Sequence, residues 1–275
     1  MSLMNRKKLI IIKIGGSVIT QKNKNLKTIK AENLQRICKE IGEAYSKKKI
    51  PLIIIHGVGP FGHKLAKEFR LNEGYKDKRQ LSALPELHKD VRELNLKIIK
   101  ALQKNNLPAI SFSPSAFWRL EDGRLKKQPT EIIKKYLALG TIPVLHGDLL
   151  IDNKKVFSVL SGDQICYYLA KELKSDRVII GTDLDGVFDS DPKINPAAKL
   201  IKKISRENYQ KFDIGGSTAI DVTSGMRGKL DELLKLADIG IGSEIINADI
   251  PSNIAKILSE KRIEKKTMIL PSTTK

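Results

Sequence analysis

The stretch Ile53-Ile54-Ile55-His56-Gly57-Val58-Gly59-Pro60-Phe61-Gly62-His63 constrains the fold of this chain more than any other. The apolar run from Leu52 reads as a buried strand, and the glycines behind it let the backbone turn sharply and bare its N–H groups. The periodicity predicts a helix from about Lys64 to Arg70, its positive dipole end aimed back at the turn. Strand, glycine turn and helix start together form a cradle for phosphate, with one histidine at each end. Gly57, Gly59 and Gly62 also fit G-x-G-x-x-G. A dinucleotide site, however, needs a second strand ending in an acidic residue about 20 positions on, and Glu68 to Gln80 is charged and strandless. A tight strand-to-helix turn alone explains the glycines but not the paired histidines.

A second such cluster opens the chain. Leu9-Ile10-Ile11-Ile12-Lys13-Ile14-Gly15-Gly16-Ser17 is a β-branched strand that carries a lysine just before a double glycine. A lysine inside a buried strand is costly unless an anion or carboxylate pairs with it. Lys22 follows in a polar loop. Lys30 to Lys48, with Leu34, Ile37, Ile41 and Ala44 at helical spacing, joins this strand to the central one as a βαβ unit and hence a parallel sheet.

Further along, Leu84, Leu87, His88 and Val91 share one face of a helix starting near Pro85, a stripe that suits core and also the wall of an apolar pocket. Pro108–Phe112 and Ile142–Asp148 read as strands. Leu149–Ile151 and Val156–Leu160 form a hairpin around Asp152-Asn153-Lys154. In Ser161-Gly162-Asp163-Gln164, Asp163 occupies the first turn of a helix to Leu173, where it either caps the helix or holds lysines of the site. Arg177-Val178-Ile179-Ile180-Gly181-Thr182-Asp183-Leu184-Asp185-Gly186 runs from strand into an acidic turn, and strand carboxyl ends are where open α/β sheets bind ligands. Asp221-Val222-Thr223-Ser224-Gly225-Met226 introduces a helix with Lys229 near its start. Final strands are expected at 238–242 and 266–270.

The chain has 275 residues and a formal charge of +19. Its lysines are dispersed and its aromatics, 5% of residues, do not interleave with them. That pattern favours solvated helix faces over nucleic-acid stacking platforms. Cys38 and Cys166 are too few for a disulfide framework and read as buried bystanders of a reducing, cytoplasmic compartment. The basic start leads into a strand with no secretory cleavage site, and no apolar run reaches the roughly 20 residues of a membrane span.

In order along the chain, Lys13-Ile14-Gly15-Gly16-Ser17, His56-Gly57-Val58-Gly59, Ser161-Gly162-Asp163, Thr182-Asp183-Leu184-Asp185-Gly186-Val187 and Asp221-Val222-Thr223-Ser224-Gly225-Met226 resemble the amino-acid kinase superfamily. Phe61-Gly62-His63, His146-Gly147-Asp148 and Glu244-Ile245-Ile246-Asn247-Ala248 resemble the group within it whose acceptor is isopentenyl phosphate. The resemblance implies an α/β fold, a three-layer α/β/α sandwich around an open, mainly parallel sheet. It implies two lobes, 1–175 binding the phosphate acceptor and 176–275 binding ATP, with a hinge near Ser175. The implied reaction moves the ATP γ-phosphoryl to isopentenyl phosphate in isoprenoid biosynthesis.

By family position, Lys13, Lys22, His63, Asp163 and Lys229 are the catalytic set. Lys13, Gly15, Gly16, Ser17, Thr182, Asp183, Asp185, Gly186, Gly225, Met226 and Lys229 fall at ATP. Gly57, Val58, Gly59, His63 and Gly162 meet the acceptor, with Leu84, Leu87, Val91, Leu149 and Val159 about its tail. Magnesium rides on the ATP phosphates without a protein ligand, and the protein is a homodimer with no nucleic-acid or membrane partner. Val58, Pro60 and Ser224 depart from the usual residues, and Pro60 has no N–H to donate. Sister kinases of another phosphate, a phosphonate such as fosfomycin or a carboxylate such as acetylglutamate remain open, as does a nucleotide-dependent regulatory or nucleic-acid-binding protein.

Overall fold

The computed structural model describes residues 8–21, 27–212 and 225–272. In chain order the strands are β1 (Ile10–Ile14), β2 (Leu52–His56), β3 (Ala109–Ser111), β4 (Leu120–Glu121), β5 (Arg124–Leu125), β6 (Ile142–His146), β7 (Asp148–Asp152), β8 (Val156–Leu160), β9 (Arg177–Thr182), β10 (Val187–Phe188), β11 (Leu200–Ile201), β12 (Lys203–Ile204), β13 (Ser243–Asn247) and β14 (Lys266–Ile269). The helices are α1 (Gly16–Ile19), α2 (Ala31–Lys48), α3 (Pro60–Glu68), α4 (Gln80–Lys104), α5 (Glu131–Ala138), α6 (Gly162–Leu173), α7 (Gly225–Ala237) and α8 (Asn253–Leu258).

Eight strands form one sheet in the order β12-β14-β13-β9-β1-β2-β6-β3, parallel except where β13 meets β14. Both faces of β1 are covered, which is why it reads as an unbroken isoleucine run rather than an alternating one. Ile10, Ile12 and Ile14 pack toward α2, α4 and α8. Leu9 and Ile11 pack toward α5, α6 and α7. The three-layer α/β/α arrangement around a mainly parallel sheet follows, as the sequence led us to expect. The sheet crosses residue 175 without a break, because β9 pairs with β1. The hairpin β7–β8 extends into a separate sheet ordered β5-β4-β7-β8, and a third apolar cluster fills the space between it, α3 and α4.

Several boundaries differ from the sequence reading. Ile142–Asp148 divides at Gly147, its strand ending at His146 and Asp148 opening β7. The helix expected from Lys64 starts at Pro60, whose fixed φ and missing N–H suit the first helical position. His63 therefore lies in the first turn rather than ahead of it. The helix expected near Pro85 begins at Gln80, where the Gln80 side chain accepts from the Lys76 and Asp77 N–H groups and fixes the entry. Residues 238–242 form the turn that ends α7, with Gly240 at φ +83°, and the strand follows at Ser243.

Candidate active site

Parallel strands end on one side of a sheet, so the loops after β1, β2, β6 and β9 meet above their carboxyl ends. The first two touch directly. Gly57 donates to the Ile14 carbonyl at 2.8 Å, while Gly15 ties the first loop to β9 by donating to the Gly181 carbonyl at 2.8 Å. A Cβ on Gly16 would lie 2.6 Å from the Gly59 nitrogen. The double glycine and the glycine turn are thus two halves of one close backbone contact, and only residues without a side chain allow it. Gly59 itself has φ +49° and precedes Pro60, turning the chain into α3.

Period two along β1 puts Lys13 on the α6 side, beside Ile55 and Ile180 of the neighbouring strands. Ser161 is the helix cap, accepting from the Gln164 N–H at 3.1 Å. The Asp163 carboxylate is thereby free for another task. Its Oδ2 stands 2.6 Å from Lys13 Nζ, and its Oδ1 stands 3.2 Å from Lys229 Nζ. All three groups are buried or nearly so. Burial works against the Asp163 charge, but Lys13 and then Lys229 more than offset it and hold the carboxyl at about 2. Burial likewise disfavours the charge on Lys13, yet the attraction of Asp163 keeps it above its ordinary range. Lys229, buried and repelled by Lys13, lies below its own. Two ammonium groups on one carboxylate leave a net positive charge in a dry place, an arrangement that draws an anion.

A cleft of about 1050 Å³ opens above this pair of lysines. Lys13, Gly15, Gly16, Ser17, Gly57, Val58, Gly59, His63, Gly162, Asp163, Thr182, Asp183, Gly186, Gly225, Met226 and Lys229 all line it. Leu87, Val91 and Val159 line its apolar end. Three sequence-named residues do not reach it. Asp185 turns away to Asn247, which donates to it at 3.0 Å, and to Lys265. Leu149 and Leu84 sit in the apolar cluster behind the wall. Lys22 and residues 221–224, including Ser224, lie outside the described residues.

Asp148, Lys193 and Thr20 also line the cleft and were not singled out as site residues from the sequence. Asp148 accepts from the Ser115 N–H at 3.1 Å, with His88 Nδ1 at 3.2 Å. Burial opposes its charge, and His88 and His146 outweigh burial to keep it below the ordinary carboxylate range. Its signal was its place at the strand end in His146-Gly147-Asp148. Ser17 donates to Asp183 at 2.8 Å, and Lys193 reaches the other oxygen of the same carboxylate at 3.0 Å. Among the described residues no cluster of three or more acidic, histidine or cysteine side chains is arranged to hold a metal. Asp163 and Asp183 already face cations, Lys13 and Lys229 at the first and Lys193 at the second. Cys38 and Cys166 are free thiols buried in the core. No described helix is long and apolar enough to cross a membrane.

The Amino acid kinase family model matches residues 8–247. The isopentenyl phosphate kinase of Methanothermobacter thermautotrophicus is 40% identical over 91% of this chain and 95% of its own. That of Methanocaldococcus jannaschii is 38% identical over 91% and 95%. Among solved structures, one of isopentenyl phosphate kinase superposes with a TM-score of 0.83 at 38% identity, over 95% of this chain and 99% of its own.

Proposed function

The chain belongs to the amino acid kinase family and stands among its isopentenyl phosphate kinases, and from that premise we propose that it transfers the ATP γ-phosphoryl to isopentenyl phosphate, giving isopentenyl diphosphate and ADP. The observation that supports it is the single cleft lined by Lys13, His63 and Lys229, with both lysines on Asp163.

A phosphomonoester has a second pKa of about 6, so near neutral pH the acceptor is already a dianionic nucleophile. It needs no general base. One of its oxygens attacks the γ-phosphorus while the bond to the ADP oxygen breaks, and catalysis rests on alignment and charge neutralisation. Gly57 and the backbone N–H groups beside it, with His63 at the start of α3, receive the acceptor phosphate. The helix N-terminus draws an anion of either kind, and it is the family position of His63, as a hydrogen-bond donor to the acceptor, that favours a phosphate over a carboxylate. Lys13 and Lys229 neutralise the charge that builds on the transferring group, and Asp163 keeps both ammonium groups in place between turnovers. Lys22 belongs to the same set. Gly15, Gly16, Ser17, Thr182, Asp183, Gly186, Gly225 and Met226 cradle ATP. Because Asp163 and Asp183 already face cations, magnesium would enter on the phosphate oxygens and water and would supply charge screening there. Leu87, Val91 and Val159 receive the prenyl tail. The acceptor thus falls to residues 1–175 and most of the nucleotide to 176–275. A cytoplasmic location and a homodimer complete the reading, the first supported by the free, buried thiols.

A substrate panel with ATP and magnesium tests it. Turnover of isopentenyl phosphate is expected; turnover of acetylglutamate or fosfomycin with none of isopentenyl phosphate overturns the assignment.

A further inference from the structure

The β4–β5 hairpin lies outside the cleft, yet it holds both helices that supply the Asp163–Lys229 pair. Its turn residues Asp122 and Gly123 have φ +53° and +75°, the tight hairpin geometry. The Asp152 carboxylate fixes that turn by accepting from the N–H groups of Asp122 at 3.0 Å and Gly123 at 2.6 Å. It binds its own turn too, through Lys154 at 2.8 Å and Lys155 at 3.0 Å. From this fixed point the Gly123 carbonyl accepts from the side chain of Gln164 at 3.0 Å, the residue next to Asp163 on α6. One residue further, Arg124 grips the Glu232 carboxylate with both Nη atoms, the Nη2 contact at 2.9 Å. Glu232 is 6% exposed and stands on α7 three residues after Lys229.

Residues three apart on a helix are neighbours on its surface. A buried carboxylate one turn from Lys229 competes with Asp163 for the Lys229 ammonium unless its charge is already answered. Lys235, at 3.2 Å from Glu232, answers it only from the solvent side. Arg124 does so with a planar fork whose base, the hairpin turn, is pinned to Asp152 by the backbone N–H groups of Asp122 and Gly123.

The geometry points to Arg124 as a positioning residue: by gripping Glu232 it keeps Lys229 turned to Asp163 and to the nucleotide phosphates. This rests on the reading of Lys229 as a phosphate-binding lysine. Arg124 touches neither substrate, and its effect on the nucleotide passes wholly through Glu232.

Calorimetric titration of ATP with magnesium into the wild-type protein and into R124M, R124K and the double variant R124M/E232Q, with melting temperatures alongside, tests the inference. R124M, which strands the Glu232 charge, is expected to weaken ATP roughly tenfold. R124K keeps the charge and loses the fork, weakening ATP about threefold. The double variant removes both charges and is expected to bind within about threefold of wild type. Equal weakening in R124M and the double variant, or unchanged affinity with a lowered melting temperature, overturns the inference. Should R124M fail to fold, wild-type affinity in R124K overturns it too, and weakened affinity in R124K with recovery in the double variant supports it. The titration contains no acceptor, so a wild-type protein that binds ATP but ignores isopentenyl phosphate overturns only the acceptor assignment.

Discussion

Lys13 and Asp163, 150 positions apart in sequence, meet at 2.6 Å because the fourth residue of a buried strand and the second residue of a helix share one face of the sheet. Neither is at home there alone. The strand lysine needs a carboxylate, and the carboxylate needs more than one cation to stay ionised out of water. Asp163→Asn leaves two buried ammonium groups facing each other and is expected to cost about 3–5 kcal/mol at neutral pH. The gap between wild type and variant depends on acidity in a direction fixed by the pKa. The Asp163 carboxyl is held at about 2 against an ordinary 3.8. Its contribution is therefore complete above about pH 4 and fades as the pH falls toward 2. Urea unfolding of both proteins at pH 7 and pH 3 is expected to show the gap narrowing at the acid end, and a constant gap contradicts the pairing.

His63→Ala is expected to lower turnover of the phosphate acceptor by about 10²–10³, the usual cost of losing one donor to developing charge. His63 stands in the first turn of α3, across the glycine turn from the lysines. ATP affinity is therefore expected to hold within about twofold. Steady-state kinetics for each substrate separately, with a nucleotide titration, distinguishes the two effects. A parallel loss of ATP binding reassigns the histidine.

The contact between the two glycine turns is closed to side chains. Gly57→Ala drives a methyl group into the Gly16 backbone. Backbone on both sides cannot give way as a flexible side chain can, so the loops must separate. A destabilisation of about 1–3 kcal/mol is expected, together with a rise in KM for both substrates. Equal KM values in the variant and wild type, measured under one set of conditions, contradict the idea that this contact shapes the cleft.

Much of this architecture was legible in the residues. The isoleucine runs gave the parallel strands, and a lysine among them announced a hidden partner. What sequence spacing cannot carry is where a side chain ends. Asp163 at a helix start looked as fit for capping as for binding lysines, and only the Ser161 hydroxyl at the cap frees it. Asp185 shares its motif with Asp183 but faces Asn247, because the turn that separates the two redirects the chain between them. Leu84 and Leu87 belong to one helical stripe, yet three residues turn the helix by about 300°, enough for Leu87 to line the cleft while Leu84 packs behind it. The Arg124–Glu232 grip joins segments too far apart for any periodicity to connect.

Glu40 separates stability from activity. Its carboxylate, 6% exposed on α2, accepts from the N–H groups of Ser252 at 2.8 Å, Ile254 at 3.0 Å and Ala255 at 3.2 Å, around the start of α8. Arg36 holds the same group at 2.6 Å. Glu40→Ala orphans these donors and is expected to cost about 3 kcal/mol. Glu40 does not line the cleft, so kcat and both KM values are expected to stay within about twofold. Denaturant unfolding beside steady-state kinetics checks both halves.

The last expectation concerns the buried imidazole under the phosphate cradle. His56 ends β2 at 1% exposure, its Nε2 3.0 Å from the Asn95 amide, with the His146 ring 5.4 Å away on the paired strand. Burial, reinforced by His146, pushes its pKa from 6.5 down to about 3. The unfolded chain thus takes up a proton near pH 6.5 that the folded one refuses until about pH 3. Stability from this group is full above pH 6.5 and drains away as the pH falls through that window, by several kcal/mol at its end. His56→Gln retains a partner for Asn95 and cannot take up a proton. Unfolding free energies measured from pH 7 to pH 4 are expected to fall less steeply in the variant than in wild type. Parallel slopes contradict a neutral, buried His56 and with it the dry floor that makes the lysine pair above so strong an anion trap.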